Sequence, residues 1–329
     1  MNVVSLFSGA GGFDLGFIQA GHHIIWANDI DKDCALTYRN NIGQHFVQGD
    51  IKEISSNNIP SSDIIIGGFP CQGFSHANRN RNISDERNKL YLEFVRIVGE
   101  KKPKYFVAEN VRGLVSIANG EVIAMIVEDF RQLGYAVEYR ILNAADFGVP
   151  QNRIRVIIMG VRNDIFQGKF PFPVPTHAQR PELFQQPWVT ISDALASVPE
   201  PDGAHTLKNH VYSKYKVTDR NFTGHRKTDP SKPSPTILAK DTGGNVATHH
   251  PKNHRRMSVR ESAIIQTFPI DFEFFGSMGS MYRQIGNAVA VLFAKKIGEA
   301  IRDLSTEPKL FSDIKTFPNT KKRLSRLRI

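Results

Sequence analysis

The chain predicts an α/β fold with a mostly parallel sheet, joined to a smaller irregular region. Three observations carry this. It opens strand, glycine-rich turn, helix: Asn2–Phe7, then Ser8–Gly12, then Phe13–Ala20. Short apolar runs then alternate with helically spaced segments as far as Val161, several closing in glycine or an acidic residue. From about residue 165 that alternation stops, and residues 171–187 alone carry five prolines.

Taken in order, His23–Ala27 predicts a second strand closing in Asn28-Asp29, with a helix over Lys32–Asn40. Phe46-Val47 is a third strand ending at Gly49-Asp50, and Ile64–Ile66 a fourth ending at Gly67-Gly68-Phe69-Pro70-Cys71-Gln72. Residues 76–87 read as a charged surface loop, and Leu90–Val98 as a helix with Leu90, Phe94, Val95 and Val98 on one face. A fifth strand over residues 104–108 delivers Glu109-Asn110-Val111 just past its end. Helix Val122–Leu133, strand Tyr135–Leu142, a connector, and strand Val156–Val161 follow. Arg153 and Arg155 lead into the last and alternate onto one face of an extended chain. Seven of the eleven histidines lie beyond residue 165, and the His249-His250 and His254 cluster reads as surface rather than metal site. Met257–Thr267 is helical, and an amphipathic helix after Gly286-Asn287-Ala288-Val289 runs to about Leu304 and packs back onto the first half.

Composition narrows the function. Lysine and arginine number 42 against 32 acidic residues, a formal charge of +10, which favours a polyanionic partner, nucleic acid first. Five of those positive charges sit in residues 321–328, read as a solvated tail. The only cysteines are Cys34 and Cys71, too few for a disulfide framework or a cysteine-rich zinc site. No apolar run reaches the ~18 residues of a membrane span, and no signal peptide is visible. A cytoplasmic setting is expected.

The chemistry gathers in the first half. The glycine-rich turn, with Asp29 20 residues after Gly9 and with Asp50, forms a nucleoside-type pocket: Asp29 is placed for ribose hydroxyls and Asp50 for an exocyclic amine. A thiol at a strand's carboxyl end, Cys71, is a candidate nucleophile. Carbon 5 of cytosine is a poor nucleophile. A thiolate adding at carbon 6 makes the ring an enamine whose carbon 5 can attack an electrophile. A carboxyl group at ring nitrogen 3 stabilises the charge that develops, and an arginine can hold the ring carbonyl. Cys71, Glu109 and Arg155, with Arg153 beside it, match these roles.

In motif content and order the chain resembles the DNA (cytosine-5) methyltransferases of the bacterial restriction-modification type. The matching runs are Phe7-Ser8-Gly9-Ala10-Gly11-Gly12, Gly67–Gln72, Glu109-Asn110-Val111, Gln151-x-Arg153-x-Arg155, Arg260-Glu261 with Gln266-x-Phe268-Pro269, and Gly286–Val289. The resemblance implies an S-adenosylmethionine-dependent Rossmann-like fold, its mixed, mostly parallel sheet carrying helices on both faces. It implies S-adenosyl-L-methionine as methyl donor, a covalent Cys71 adduct, and a cytosine flipped out of double-stranded DNA. Donor-binding residues would be Phe7, Ser8, Gly9, Ala10, Gly11, Gly12, Asp29, Ile30, Asp50, Ile51, Gly68, Pro70, Leu90, Asn287, Ala288 and Val289. Gln72, Ser75 and Thr236 would meet DNA, and no metal is expected. By the same resemblance residues 1–164 and 257–305 are the catalytic and donor-binding domain, 165–256 the target-recognition domain, and 306–329 a basic tail. The chain would act as a monomer, on the nucleoid, protecting host DNA from a cognate restriction enzyme.

Departures from the family pattern are small. Asp29 stands where glutamate is usual, and Ala290 where proline is common. A tRNA cytosine-5 methyltransferase shares these motifs but typically carries a Cys-Phe-Thr run, and this chain has no cysteine after Cys71. A nucleotide-dependent oxidoreductase is disfavoured by the missing G-x-G-x-x-G, and a catalytically dead DNA-binding module by the intact Cys71, Glu109 and Arg155.

Overall fold

The computed structural model describes residues 1–70, 89–214, 228–239, 250–251 and 255–306. Cys71, Gln72, Ser75, the loop 76–87, His249, His254 and the tail from residue 307 lie outside them.

Strands β1 (Asn2–Leu6), β2 (His23–Asp29), β3 (Phe46–Gln48), β4 (Ile64–Gly67), β5 (Tyr105–Val111) and β6 (Tyr135–Asn143) are followed by the two-residue β7 (Gln151–Asn152) and by β8 (Ile154–Arg162). Seven of these eight form one sheet in the order β3-β2-β1-β4-β5-β8-β6. β1 to β5 pair in parallel, and β8 runs antiparallel between β5 and β6.

Helices cover both faces. α1 (Gly12–Gln19) and α2 (Lys32–Asn41) pack on one, and α3 (Lys89–Lys101) and α4 (Glu121–Gln132) on the other. The run Ile64-Ile65-Ile66 shows why such strands are apolar throughout. Ile64 and Ile66 enter the α1 and α2 side and Ile65 the α3 and α4 side, each fully buried, worth about 1.5–3 kcal/mol apiece.

Beyond β8 come the paired β9 (His177–Ala178) and β10 (Gln186–Pro187), α5 (Ile191–Leu195), β11 (Ser234–Pro235), α6 (Val259–Ile265), α7 (Met278–Asn287) and α8 (Val291–Thr306). α8 lies on α1 at close range. A Cβ on Gly16 would stand 2.4 Å from that of Ala294, one on Gly298 2.8 Å from that of Ala20, and Arg302 donates to the Ala20 carbonyl at 2.9 Å.

Three expectations change. β5 does not stop at residue 108: its antiparallel pairing with β8 carries it to Val111, so Glu109 sits inside the strand, and Arg155 inside β8. Helix α7 is an additional element. Ser277 caps it, its hydroxyl accepting from Ser280 N–H, but Gly279 and Gly286 hide its period in the sequence. Finally, packing does not break at residue 256. Ile191 and Ile237 share one core with Met257, Val259, Phe268, Ile285 and Val291. β11 also pairs with β7, so these parts of 165–256 are built onto the segments that precede and follow them.

Among the described residues no helix is long and apolar enough to cross a membrane. No group of three histidine, cysteine or carboxylate side chains is placed to hold a metal there either.

Candidate active site

Phe69 anchors the turn that leaves β4. Its ring is 2% exposed and lies 5.2 Å from Tyr91 and 5.9 Å from Phe94, both on α3. The Asn110 side-chain amide donates to the Phe69 carbonyl at 2.9 Å, and its own carbonyl accepts from Val111 N–H. An aromatic seat and a tie from β5 therefore fix the chain at Phe69, directly before Pro70. Asn110 stands in the Glu-Asn-Val run, but this tie needs β5 beside the β4 turn and is not visible in that run alone.

A cavity of about 710 Å³ opens at the carboxyl edge of β1, β2, β4 and β5. Of the residues expected to hold the donor, Phe7, Ser8, Gly9, Asp29, Ile30, Asp50, Ile51, Gly68, Pro70, Leu90, Asn287, Ala288 and Val289 line it, as does Glu109. Ala10, Gly11 and Gly12 do not. Ala10 is buried in the core of α6 and α7. A Cβ on Gly11 would stand 2.2 Å from Ile42, and one on Gly12 2.5 Å from the Val289 carbonyl. These glycines are small so that α1 can seat against its neighbours. The lining also includes Ser5, Asn28, Asp31, Cys34, Arg283 and Gln284. Asn28 was legible beside Asp29. Arg283 and Gln284 depended on α7, which was not.

The acids of the cavity are braced. Asp29 accepts from Gly9 N–H at 2.8 Å and from Asp31 N–H at 3.0 Å, which holds the glycine-rich turn to β2. Burial pushes its carboxyl above the usual range. Asp50 accepts from Lys52 N–H at 3.0 Å and pairs with the Lys52 ammonium at 3.2 Å. Beneath the turn, Asp14 is fully buried and accepts from the Ser5 and Tyr38 hydroxyls; burial pushes it up to about 6.

Glu109 and Arg155 are diagonal neighbours on one face of the β5–β8 pair. Arg155 Nε stands 2.7 Å from Glu109 Oε1, with both side chains about nine-tenths buried. The N–H is not aimed at that oxygen, so buried Oε1 carries no aligned hydrogen bond. A carboxylate oxygen beside a cation, with its own donor missing, can receive a polar group of a bound ring.

Arg153 is placed otherwise than expected. Its guanidinium donates to the carbonyls of Ile237 at 3.2 Å, Gly286 at 3.0 Å and Ala288 at 2.9 Å. It thus clasps the strand entry to the end of α7 and to the segment after β11. These protein carbonyls, not a substrate oxygen, take its two terminal nitrogens, while its buried Nε carries no hydrogen bond among the described residues. Burial and the neighbouring Arg155 push it down to about 9, still charged at neutral pH. The Thr236 hydroxyl donates to the Asn152 carbonyl at 2.7 Å, away from the cavity lining.

Comparison with known proteins agrees with this arrangement. The family model described as C-5 cytosine-specific DNA methylase matches residues 1–303. The chain is 41% identical over 314 residues to the Type II methyltransferase M.NgoFVII of Neisseria gonorrhoeae, covering 87% of this chain and 82% of that one. It is 38% identical over 335 residues to M.FnuDI of Fusobacterium nucleatum, covering 92% and 96%. Among solved structures, a prophage-encoded DNA modification methyltransferase of E. coli superposes with a TM-score of 0.72 at 26% identity, covering 93% of this chain and all of that one. The S. pombe Dnmt2 methyltransferase, with a TM-score of 0.64 at 21% identity, shares the fold. With its mixed sheet, its carboxyl-edge cavity and a family match running almost end to end, the chain belongs to the C-5 cytosine-specific DNA methylases.

Proposed function

We propose that the protein moves a methyl group from S-adenosyl-L-methionine to carbon 5 of a cytosine extruded from a specific double-stranded DNA sequence. The observation that carries this reading is Glu109. Its buried Oε1 is ion-paired to Arg155 yet free of an aligned hydrogen bond, and the residue lines the same cavity as Pro70, the neighbour of Cys71.

The cavity suits the donor's chemistry. It presents Asp29, Asp31, Asp50 and Glu109 to a ligand rich in hydroxyl and amine groups and carrying positive charge. At its mouth Ile30 is 65% exposed, an apolar surface for a flat ring. Asp29 would take the ribose hydroxyls, and Asp50 with Ile51 the adenine. When bound, the donor supplies an electrophilic methyl group. The chain's own residues prepare the cytosine. The Cys71 thiolate adds to carbon 6, the carbon 5–carbon 6 π pair moves to the carbon 4–carbon 5 bond, and the carbon 4–nitrogen 3 pair moves to nitrogen 3, which takes up a proton. Glu109 holds a proton at nitrogen 3, and Arg155 holds the ring carbonyl. Once carbon 5 carries the methyl group, its proton passes to water, the carbon 5–carbon 6 double bond re-forms and the thiolate departs.

Residues 165–256 would supply target recognition, Gln72 and Ser75 the contacts beside the flipped base, and Thr236 a backbone contact. The Type II names of the relatives support a role in protecting DNA from a partner nuclease; the chain would act in the bacterial cytoplasm and, since one chain holds every part the chemistry needs, as a monomer. Bisulfite sequencing of DNA from cells expressing the chain tests the reading. The expected result is complete methylation at one short sequence, and no methylated cytosine above the parent strain would overturn it.

A further inference from the structure

Phe184 is 93% exposed and Leu183 beside it 82%. Phe184 also holds a left-handed backbone, φ 72°, costly for a bulky L-residue. Single exposed apolar side chains need no explanation. Two adjacent ones, the larger strained and almost wholly in solvent, do.

The tip is rigidly built. Gln185 N–H donates to the Glu182 carbonyl at 3.0 Å, and Glu182 N–H donates to the Gln185 side chain at 3.1 Å. The flanking chain pairs as β9 and β10 in parallel, Gln186 opposite His177, so residues 179–185 cross back between them. That pair is pinned at its base by one residue. The Asp146 carbonyl accepts from Thr176 N–H at 2.9 Å, and its carboxylate accepts from the Trp188 indole N–H at 2.9 Å. Asp146 lies in the turn directly after β6. β6 runs parallel to β5, since both are antiparallel to β8. The start of β9, and Phe184 two residues before the paired Gln186, therefore lie at the sheet edge that carries Glu109 and the cavity.

We infer that Leu183-Phe184 is a wedge that enters the base stack of the bound duplex. This rests on the reading above that the chain acts on double-stranded DNA. Duplex DNA offers such a tip one apolar surface, the faces of its bases, and aromatic and aliphatic side chains are known to part base steps. Extruding a cytosine requires unstacking, which a wedge would assist. Arg180, four residues before Phe184 and exposed, is placed for a neighbouring phosphate. A protein partner fits less well. A stable interface covers roughly 800 Å² on each side, and two side chains at a turn offer a fraction of that.

The test uses the full chain and a duplex oligonucleotide bearing the sequence found by bisulfite sequencing. Wild type, Phe184→Gly and Phe184→Trp are titrated against the intact duplex and against copies with one abasic site stepped along it. Glycine suits the left-handed backbone, so F184G keeps the turn and should melt no lower than wild type. F184G should bind the intact duplex about five- to hundredfold more weakly, with the same salt dependence because no phosphate contact is lost. F184W should bind like wild type, and one abasic position should restore most of the F184G loss. Equal affinity of F184G and wild type, or a loss that no abasic position restores, overturns the wedge. A change in sedimentation of F184G without a change in DNA affinity overturns it in favour of a protein interface. If wild type itself neither binds nor methylates any duplex, the underlying reading fails and the wedge with it.

Discussion

Glu109→Gln should lower kcat by about 10²- to 10⁴-fold, the usual worth of a positioned acid, while leaving donor affinity within a few-fold. Glutamine keeps the side chain's length and shape but can neither supply a proton to nitrogen 3 nor pair with Arg155 as an anion. The Arg155–Glu109 contact at 2.7 Å is the only ion pair of the Glu109 carboxylate among the described residues, so the change removes an ion pair as well as a reactive group. Melting curves separate the two effects. The interaction is nearly buried, and its loss should cost some stability without unfolding the sheet, because β5 and β8 stay paired through seven residues. Single-turnover methyl transfer with saturating donor and DNA is the measurement. Turnover within threefold of wild type would remove Glu109 from the chemistry.

Arg153→Met should act by a different route. Methionine fills much of the volume but takes the Arg153 donor from the carbonyls of Ile237 and Gly286, and leaves that of Ala288 only the longer 3.3 Å bond from the Gln266 amide. Orphaned buried carbonyls cost about 1–3 kcal/mol each, offset in part by removing a buried charge, for a net loss of roughly 2–4 kcal/mol. Because Ala288 lines the cavity, donor affinity should fall together with the melting temperature. Glu109→Gln slows turnover with donor affinity kept; Arg153→Met weakens donor binding and stability together. Calorimetric donor titration and thermal melting on both variants read this contrast, and a stable Arg153→Met protein with normal donor affinity but no turnover would return Arg153 to the chemistry.

The two arginines also show how far sequence reading reached. Their alternation is visible in Gln151-Asn152-Arg153-Ile154-Arg155, and so is their nearness to a reactive edge. Which of them faces Glu109 depends on the register between β5 and β8, a pairing of segments some 45 residues apart in the chain. Local pattern does not set that register. The same holds for the glycine-rich turn. Its position and its approach to Asp29 were legible, since Gly9 N–H does meet that carboxylate. That Gly11 and Gly12 serve packing was not, because the atoms that would collide with a Cβ belong to α2 and to residues nearly 280 positions later. Apolar periodicity found α1, α2, α3, α4 and α8 to within a few residues. It missed α7, whose glycines weaken the period although Met278, Tyr282 and Ile285 lie on one side. The seat of Phe69 between Tyr91 and Phe94 likewise required the packing of α3 on β4.

Covalent trapping tests the thiol route at the centre of this account. A duplex with 5-fluorocytosine at the methylated position should form a protein–DNA adduct that survives denaturing electrophoresis. It should appear with the wild-type chain and S-adenosyl-L-methionine, because carbon 5 then lacks the proton whose loss releases the cysteine. Cys71→Ser should form none. No adduct with wild type, or an adduct that persists in Cys71→Ser, would contradict the assignment of Cys71 as the nucleophile.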